Sequence, residues 1–294
     1  MAESETSLLR VEGLTVDFDT GKPTEHRALD QLSLSISEGE VVGLVGESGS
    51  GKTVLAHSIL GLLPANGRAT SGHIIWRDCE LHGLSEEKLR LIRGKEIAMI
   101  FQDPQAALNP VYTVGRQLLW RLKLHRSLSG QTARAEARRL LEAVRLFDAE
   151  RVFGCYAHEL SGGMAQRVMI AMALAAHPKL LIADEPTSAL DATIQLEIVS
   201  LLKAIQLKHR MAVLFITHNM NLLSGFCSAI TVMCRGQVVE QASTASILAD
   251  PKADYTKRLI LASGVLHQVA SPEEPFLDKV PVLETSLETI TSSH

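Results

Sequence analysis

The segment GESGSGKT, Gly46 to Thr53, constrains the fold of this chain more than any other feature. It satisfies G-x-x-x-x-G-K-[ST], follows the short apolar run EVVGLVG and precedes the helical pattern VLAHSILGLL. That setting, strand then glycine-rich loop then helix, is the one in which the motif acts as a phosphate loop. Its glycines let successive backbone N–H groups turn inward around phosphate oxygens, and the helix N-terminus adds the positive end of its dipole. The pattern assigns all of Gly46, Glu47, Ser48, Gly49, Ser50, Gly51, Lys52 and Thr53 to a nucleotide cradle. Lys52 reaches the β- and γ-phosphates and the Thr53 hydroxyl ligates Mg²⁺.

A phosphate loop of this kind needs a sheet behind it. KLLIADE (Lys179 to Glu185) and MAVLFITH (Met211 to His218) are two further short apolar runs, and like EVVGLVG they read as strands buried on both faces. Helical patterns separate them. In IQLEIVSLLKAIQL, Leu196, Val199, Leu202 and Ile205 recur at helical spacing. The expected class is therefore α/β with a mainly parallel sheet. LLRVEGLTVDF and LDQLSLSI, within the first fifty residues, suit antiparallel strands flanking that core. From about 103 to 163 strand signals vanish. There TARAEARRLLEAVRLF places Ala137, Leu140, Leu141, Val144 and Phe147 on one face and arginines on the other, with Thr132 as N-cap. We read this stretch as a helical subdomain inserted into an α/β domain over 1–264, and 265–294, rich in Ser, Thr, Pro and Glu, as a flexible tail.

Composition removes several classes of function. Across 294 residues the formal charge is −4, so no basic excess points to nucleic acid, and the arginine run reads as a solvated helix face. MAESETSLLR has acidic residues and no apolar h-region, unlike a secretory signal. Runs such as MIAMALAA fall short of the ~20 apolar residues that a bilayer span needs. The four cysteines, Cys79, Cys155, Cys227 and Cys234, form no C-x-x-C pair and read as reduced, largely buried thiols rather than a zinc or redox site.

Two more segments carry chemistry. Asp184 and Glu185 end an apolar strand, at the sheet edge where open α/β folds bind ligands. Asp184 suits the Mg²⁺ shell, and Glu185 can polarise the attacking water as general base. HELSGGMAQR, His158 to Arg167, offers a second cluster of backbone N–H groups, at Ser161, Gly162 and Gly163, ahead of the apolar helix VMIAMALAA. One phosphate cradle already exists, so a second makes sense if it serves the nucleotide held by another subunit.

With these segments in this order, the chain resembles the ATP-binding-cassette ATPases over roughly residues 7 to 260. The resemblance implies a head-to-tail dimer that sandwiches two ATPs, the LSGG segment of one subunit closing on the phosphate loop of the other. It also implies that Gln102, in IFQDP, contacts Mg²⁺ and the attacking water. In the same way SALD (Ser188 to Asp191) crosses the dimer interface, His218 bonds the γ-phosphate and Phe18 stacks on adenine. Two positions depart from the common pattern: Met164 replaces a glutamine after LSGG, and Asn219 stands where aspartate is frequent after His218.

LSGGMAQR, DPQAALNPVYTVGRQL and DPKADYTKRL narrow the resemblance to the ATPase subunits of bacterial dipeptide, oligopeptide and nickel importers. Such a subunit lies peripherally on the cytoplasmic face of the inner membrane. It works with two transmembrane permeases, an identical or paralogous second ATPase, and indirectly an extracytoplasmic substrate-binding protein. Permease helices dock near Phe101 to Arg116. With no cysteine after Cys234, nothing argues for a C-terminal iron–sulfur cluster. Peptide is the leading cargo, nickel or a metal chelate the alternative. A cassette acting on nucleic acid or ribosomes is a third reading, without coiled-coil heptads, zinc-type cysteine pairs or a second cassette to favour it.

Overall fold

The computed structural model describes residues 7–19, 21 and 26–263; the tail expected over 265–294 lies outside them. In chain order, β1 (Ser7–Phe18) and β2 (His26–Ser37) are followed by β3 (Val41–Val45), the phosphate loop and α1 (Lys52–Ile59). Then come β4 (Gly67–Trp76), the short β5 (Cys79–Glu80), α2 (Glu86–Ile92) and β6 (Ile97–Ile100). Helices follow one another next: α3 (Pro104–Ala107), α4 (Val114–Arg126), α5 (Gly130–Ala143), α6 (Ala149–Gly154) and α7 (Gly162–Leu174). Alternation resumes with β7 (Leu180–Asp184), α8 (Ala192–His209) and β8 (Ala212–Thr217). The hairpin of β9 (Ala229–Cys234) and β10 (Gln237–Ser243), then α9 (Thr244–Ala249) and α10 (Asp254–Ser263), complete the described chain.

The strands make two sheets. One is antiparallel, in the order β2-β1-β4-β5; the other runs β10-β9-β3-β8-β7-β6. In the second sheet β3 pairs in parallel with β8 and β9, and β7 with β6 and β8, while β10 alone is antiparallel. This is the mainly parallel α/β core, with antiparallel strands beside it, that the sequence led us to expect.

Side-chain alternation explains why the central strands read as unbroken apolar runs. Val41 and Val45 of β3, Leu181 and Ala183 of β7, and Val213 and Phe215 of β8 face a core shared with α4 to α8. Their neighbours Val42, Leu44, Leu180, Ile182, Leu214 and Ile216 face the opposite core, under α1 and the antiparallel sheet. A strand covered on both sides has no polar face to show. Each such Leu or Ile contributes about 1.5–3 kcal/mol when fully buried.

α7 is the hub of the helical layer, with every residue from Ala165 to Leu174 buried. A helix apolar around its whole circumference belongs inside a structure. Arg167, within it, is held by the carbonyl of Val144 (3.2 Å) and the carboxylate of Glu197 (2.6 Å). The arginines of α5 reach surface acids instead, Arg134 and Arg138 both pairing with Glu150 at 2.5 Å.

Four expectations are corrected. α5 begins at Gly130 with Ser129 at its N-cap, so Thr132 lies inside the helix. The helix also stops at Ala143, because Arg145 turns into the left-handed region (φ 62°). That reversal buries Leu146 and leaves Phe147 77% exposed, off the predicted face. On α8 the buried stripe comprises Ile198, Val199, Leu201, Leu202 and Ile205, and Leu196 sits outside it, exposed. Of the cysteines, Cys155 and Cys227 are buried, but Cys79 is exposed and Cys234 only half-buried.

Candidate functional site

The ends of β3, β7 and β8 lie side by side, and the loops leaving them build one cleft of about 1060 Å³. Its floor is the phosphate loop. A Cβ at Gly46 would stand 2.2 Å from the carbonyl oxygen of Met233, and one at Gly51 (φ 103°) would stand 2.7 Å from that of Ala28. Only glycine lets the loop close so tightly against β2 and β9.

Lys52 opens α1 and folds back over the loop. Its ammonium donates to the carbonyls of Gly46 (2.8 Å) and Glu47 (2.9 Å) and lies 4.0 Å from Glu185 Oε1. The side chain is 5% exposed, and this burial lowers its pKa, with the charges of Glu185 and Asp184 opposing the shift. Thr53, next on the helix, donates its hydroxyl to Asp184 Oδ1 at 3.3 Å. Asp184 is almost wholly buried. Burial pushes its carboxyl above the usual range; the Thr53 hydrogen bond acts against that shift and Glu185 adds to it.

Glu185 is where the elements converge. It leaves β7 in the left-handed region (φ 44°), a backbone state held by its N–H bonding to the carbonyl of Ile216 on β8 (2.9 Å). Such a residue carries strain of order ~1–3 kcal/mol, which the surroundings must overcome. Its Oε2 accepts from Gln102 Nε2 at 3.4 Å and lies 3.2 Å from His218 Nδ1. Three side chains read separately from sequence thus meet at one carboxylate beside Lys52. Hydroxyl, carboxylate and amide oxygens from Thr53, Asp184 and Gln102 are hard donors that fit Mg²⁺.

Phe18, at the end of β1, lines the same cleft, half-buried, with its ring against Gly67. Ser50 is packed beneath the loop, 4% exposed. Ser161, Gly162 and Gly163 do not line the cleft. They open α7, where Ser161 Oγ accepts from the N–H of Met164 (3.3 Å). Gly162 instead borders a smaller cavity of about 230 Å³ that it shares with Gln102, Pro186 and Leu190. Asp191 of SALD caps α8 through the N–H of Ile194 (3.1 Å).

Sequence reasoning missed part of the wall: His26 and Arg27 of β2, Arg235 in the β9–β10 turn, and Leu259 of α10. It also missed Tyr255, whose hydroxyl accepts from the N–H of Glu47 at 3.1 Å. Arg235-Gly236 forms the β9–β10 turn, but the half-exposed strand after it leaves no apolar run to mark a hairpin in the sequence. Nothing local marks Arg27.

The chain matches the family model described as ABC transporter over residues 29–188, a span that contains the loop, Gln102, Ser161–Gly163, Asp184 and Glu185. It is 46% identical over 257 residues to the dipeptide transport ATP-binding protein DppD of Escherichia coli (strain K12), covering 87% of this chain and 78% of that protein. It is also 46% identical over 264 residues to the peptidoglycan transport ATP-binding protein YejF of Agrobacterium fabrum. That match covers 89% of this chain and 48% of the relative, so the chain spans about half of YejF. A dimeric post-hydrolysis structure of the ATP-binding cassette MJ0796 bound to ADP and Pi superimposes with a TM-score of 0.72. At 29% identity it covers 80% of this chain and 98% of that one.

Proposed function

The chain belongs to the ABC transporter family, and from that premise we propose that it binds and hydrolyses ATP to drive an importer of di- and oligopeptides. The observation that carries this reading is the meeting of Gln102, Glu185 and His218 beside the lysine of a phosphate loop. The cargo rests on the relatives, one named for dipeptide transport and the other for peptidoglycan transport.

In this reading the amides from Gly46 to Thr53 wrap the triphosphate, Lys52 bonds the β- and γ-phosphate oxygens, and Phe18 stacks on the adenine. Thr53, Asp184 and Gln102 hold Mg²⁺, which when bound offsets the charge on the phosphate oxygens. Glu185 takes the proton of the attacking water at Oε2. Gln102 orients that water, and His218 bonds the γ-phosphate. Ser161, Gly162 and Gly163 serve the nucleotide of a second ATPase subunit, identical or paralogous, because they lie outside the cleft of their own chain.

The working unit is a cassette over 1–264 with the helical insertion at about 103–163, followed by the tail 265–294. Two transmembrane permeases, fed by an extracytoplasmic binding protein, seat it on the cytoplasmic face of the inner membrane. No helix among the described residues is long and apolar enough to cross a membrane. Around the expected docking segment Phe101, Val111 and Trp120 are exposed, and Arg116 lies over the rings of Tyr112 (4.7 Å) and Trp120 (5.1 Å). Exposed aromatics with an arginine suit a partner helix.

Glu185→Gln keeps the size of the side chain and one accepting oxygen but cannot take a proton. Hydrolysis by the purified complex falls about 10²–10⁴-fold, and an ATP-bound dimer accumulates in size-exclusion chromatography. Unimpaired turnover in that variant contradicts the assignment of Glu185 as base.

A further inference from the structure

The Gly46 carbonyl and the Glu47 N–H belong to one peptide unit. In a trans peptide these groups point in opposite directions, so fixing both fixes the plane. Here the carbonyl accepts from Lys52 Nζ at 2.8 Å, and the N–H donates to the Tyr255 hydroxyl at 3.1 Å. Below, the Gly46 Cα rests so close to Met233 that there is no room for a side chain. The peptide is therefore confined on the floor side, gripped by the lysine on one edge and by Tyr255 on the other.

Tyr255 is in turn well anchored. The carboxylate of Glu240 accepts from the N–H groups of Lys252 (2.7 Å) and Ala253 (3.0 Å) just ahead of α10. At the far end Asn221 Nδ2 donates to the carbonyl of Ser263 at 3.0 Å. Asn221 stands in the turn that follows His218, and Leu259, one helical turn after Tyr255, lines the cleft. α10 thus spans from the phosphate loop to the histidine turn.

We propose that Tyr255 is a positioning residue for nucleotide binding, acting through the Gly46–Glu47 peptide to hold Lys52 where the triphosphate arrives. This rests on the reading of the cleft as an ATP site. Without the hydroxyl the peptide can rotate, and the lysine must be re-ordered each time nucleotide binds. Tyr255 makes no hydrogen bond to the base, Glu185, which keeps its contacts with Gln102 and His218. The effect belongs in affinity and not in the chemical step.

The test uses the full-length chain carrying Tyr255→Phe or Tyr255→Ala. Dissociation constants are measured with a fluorescent ATP analogue and Mg²⁺, thermal midpoints without nucleotide, and KM and kcat in the assembled transporter. Tyr255→Phe raises Kd and KM about three- to tenfold, the range expected for one lost hydrogen bond. Its kcat stays that of the wild type, and its midpoint falls by no more than a few degrees for the hydrogen bond that the nucleotide-free chain loses. Tyr255→Ala shows the same affinity loss with a lowered midpoint from the missing ring. Wild-type affinity in Tyr255→Phe overturns the proposal, as does a loss confined to Tyr255→Ala, which would make the ring a packing element only. A wild-type chain that binds no ATP overturns the functional reading itself, and this inference with it.

Discussion

At Asp184 the fold keeps a carboxylate where water scarcely reaches, 2% exposed, with one hydroxyl as its partner. A group buried for stability alone would be neutral or fully paired. Because burial raises the carboxyl's pKa above its unfolded value, the native state holds the proton more tightly than the unfolded chain. The contribution of this group to stability is therefore greatest at acid pH and declines as pH rises through the raised value. Asp184→Asn removes the ionisation. At neutral pH the nucleotide-free variant melts above the wild type, and the difference closes on acidification. The same variant loses Mg²⁺-dependent hydrolysis by about a hundredfold or more. A lowered midpoint at neutral pH would show that the carboxylate supports the fold. Glu185, with its positive φ, and the half-buried Lys52–Glu185 contact have the same character, local cost held in place by the strands around them.

At the scale of elements, α4 and α6 meet through a glycine. A Cβ at Gly115 would lie 2.3 Å from the ring of Phe153, so Gly115→Ala forces the two helices apart. We expect a loss of about 1–3 kcal/mol in denaturant unfolding, with nucleotide affinity unchanged because the contact is remote from the cleft. This helical layer also marks where sequence was legible and where it was not. β3, β7 and β8 announced themselves because burial on both faces leaves a pure apolar run. β10 did not, since as an edge strand its exposed and half-buried residues alternate and no apolar run forms. β4, mostly polar toward its start, was silent for a similar reason. The end of α5 was misjudged because periodicity carried on through Val144 to Phe147, while the backbone reversal at Arg145 leaves no mark in side-chain pattern. The site was legible where a motif is contiguous, as in Gly46 to Thr53. It was opaque at Tyr255, whose partner Glu47 is 208 residues away and is met through a backbone group that no residue type encodes.

At the scale of the whole molecule, the proposed reading gives the chain half of each of two sites. Its cleft gathers Phe18, the phosphate loop, Gln102, Glu185 and His218, yet Ser161 and Gly163 stand at the N-terminus of a buried helix with no place in that cleft. An N-terminus of this kind is suited to a phosphate, and the one its own chain would bind is already cradled. Completion by a second ATPase subunit is the proposal that accounts for that arrangement, and the exposed Trp120 is where we propose that permeases couple. The central claim is that this ATPase powers a membrane importer. Its most direct test is gentle-detergent capture of the tagged full-length chain from its native membranes, with partners identified by mass spectrometry. The account predicts two multi-span permeases together with a cassette ATPase partner. Recovery of ribosomal or nucleic-acid-bound proteins with no permease would contradict it.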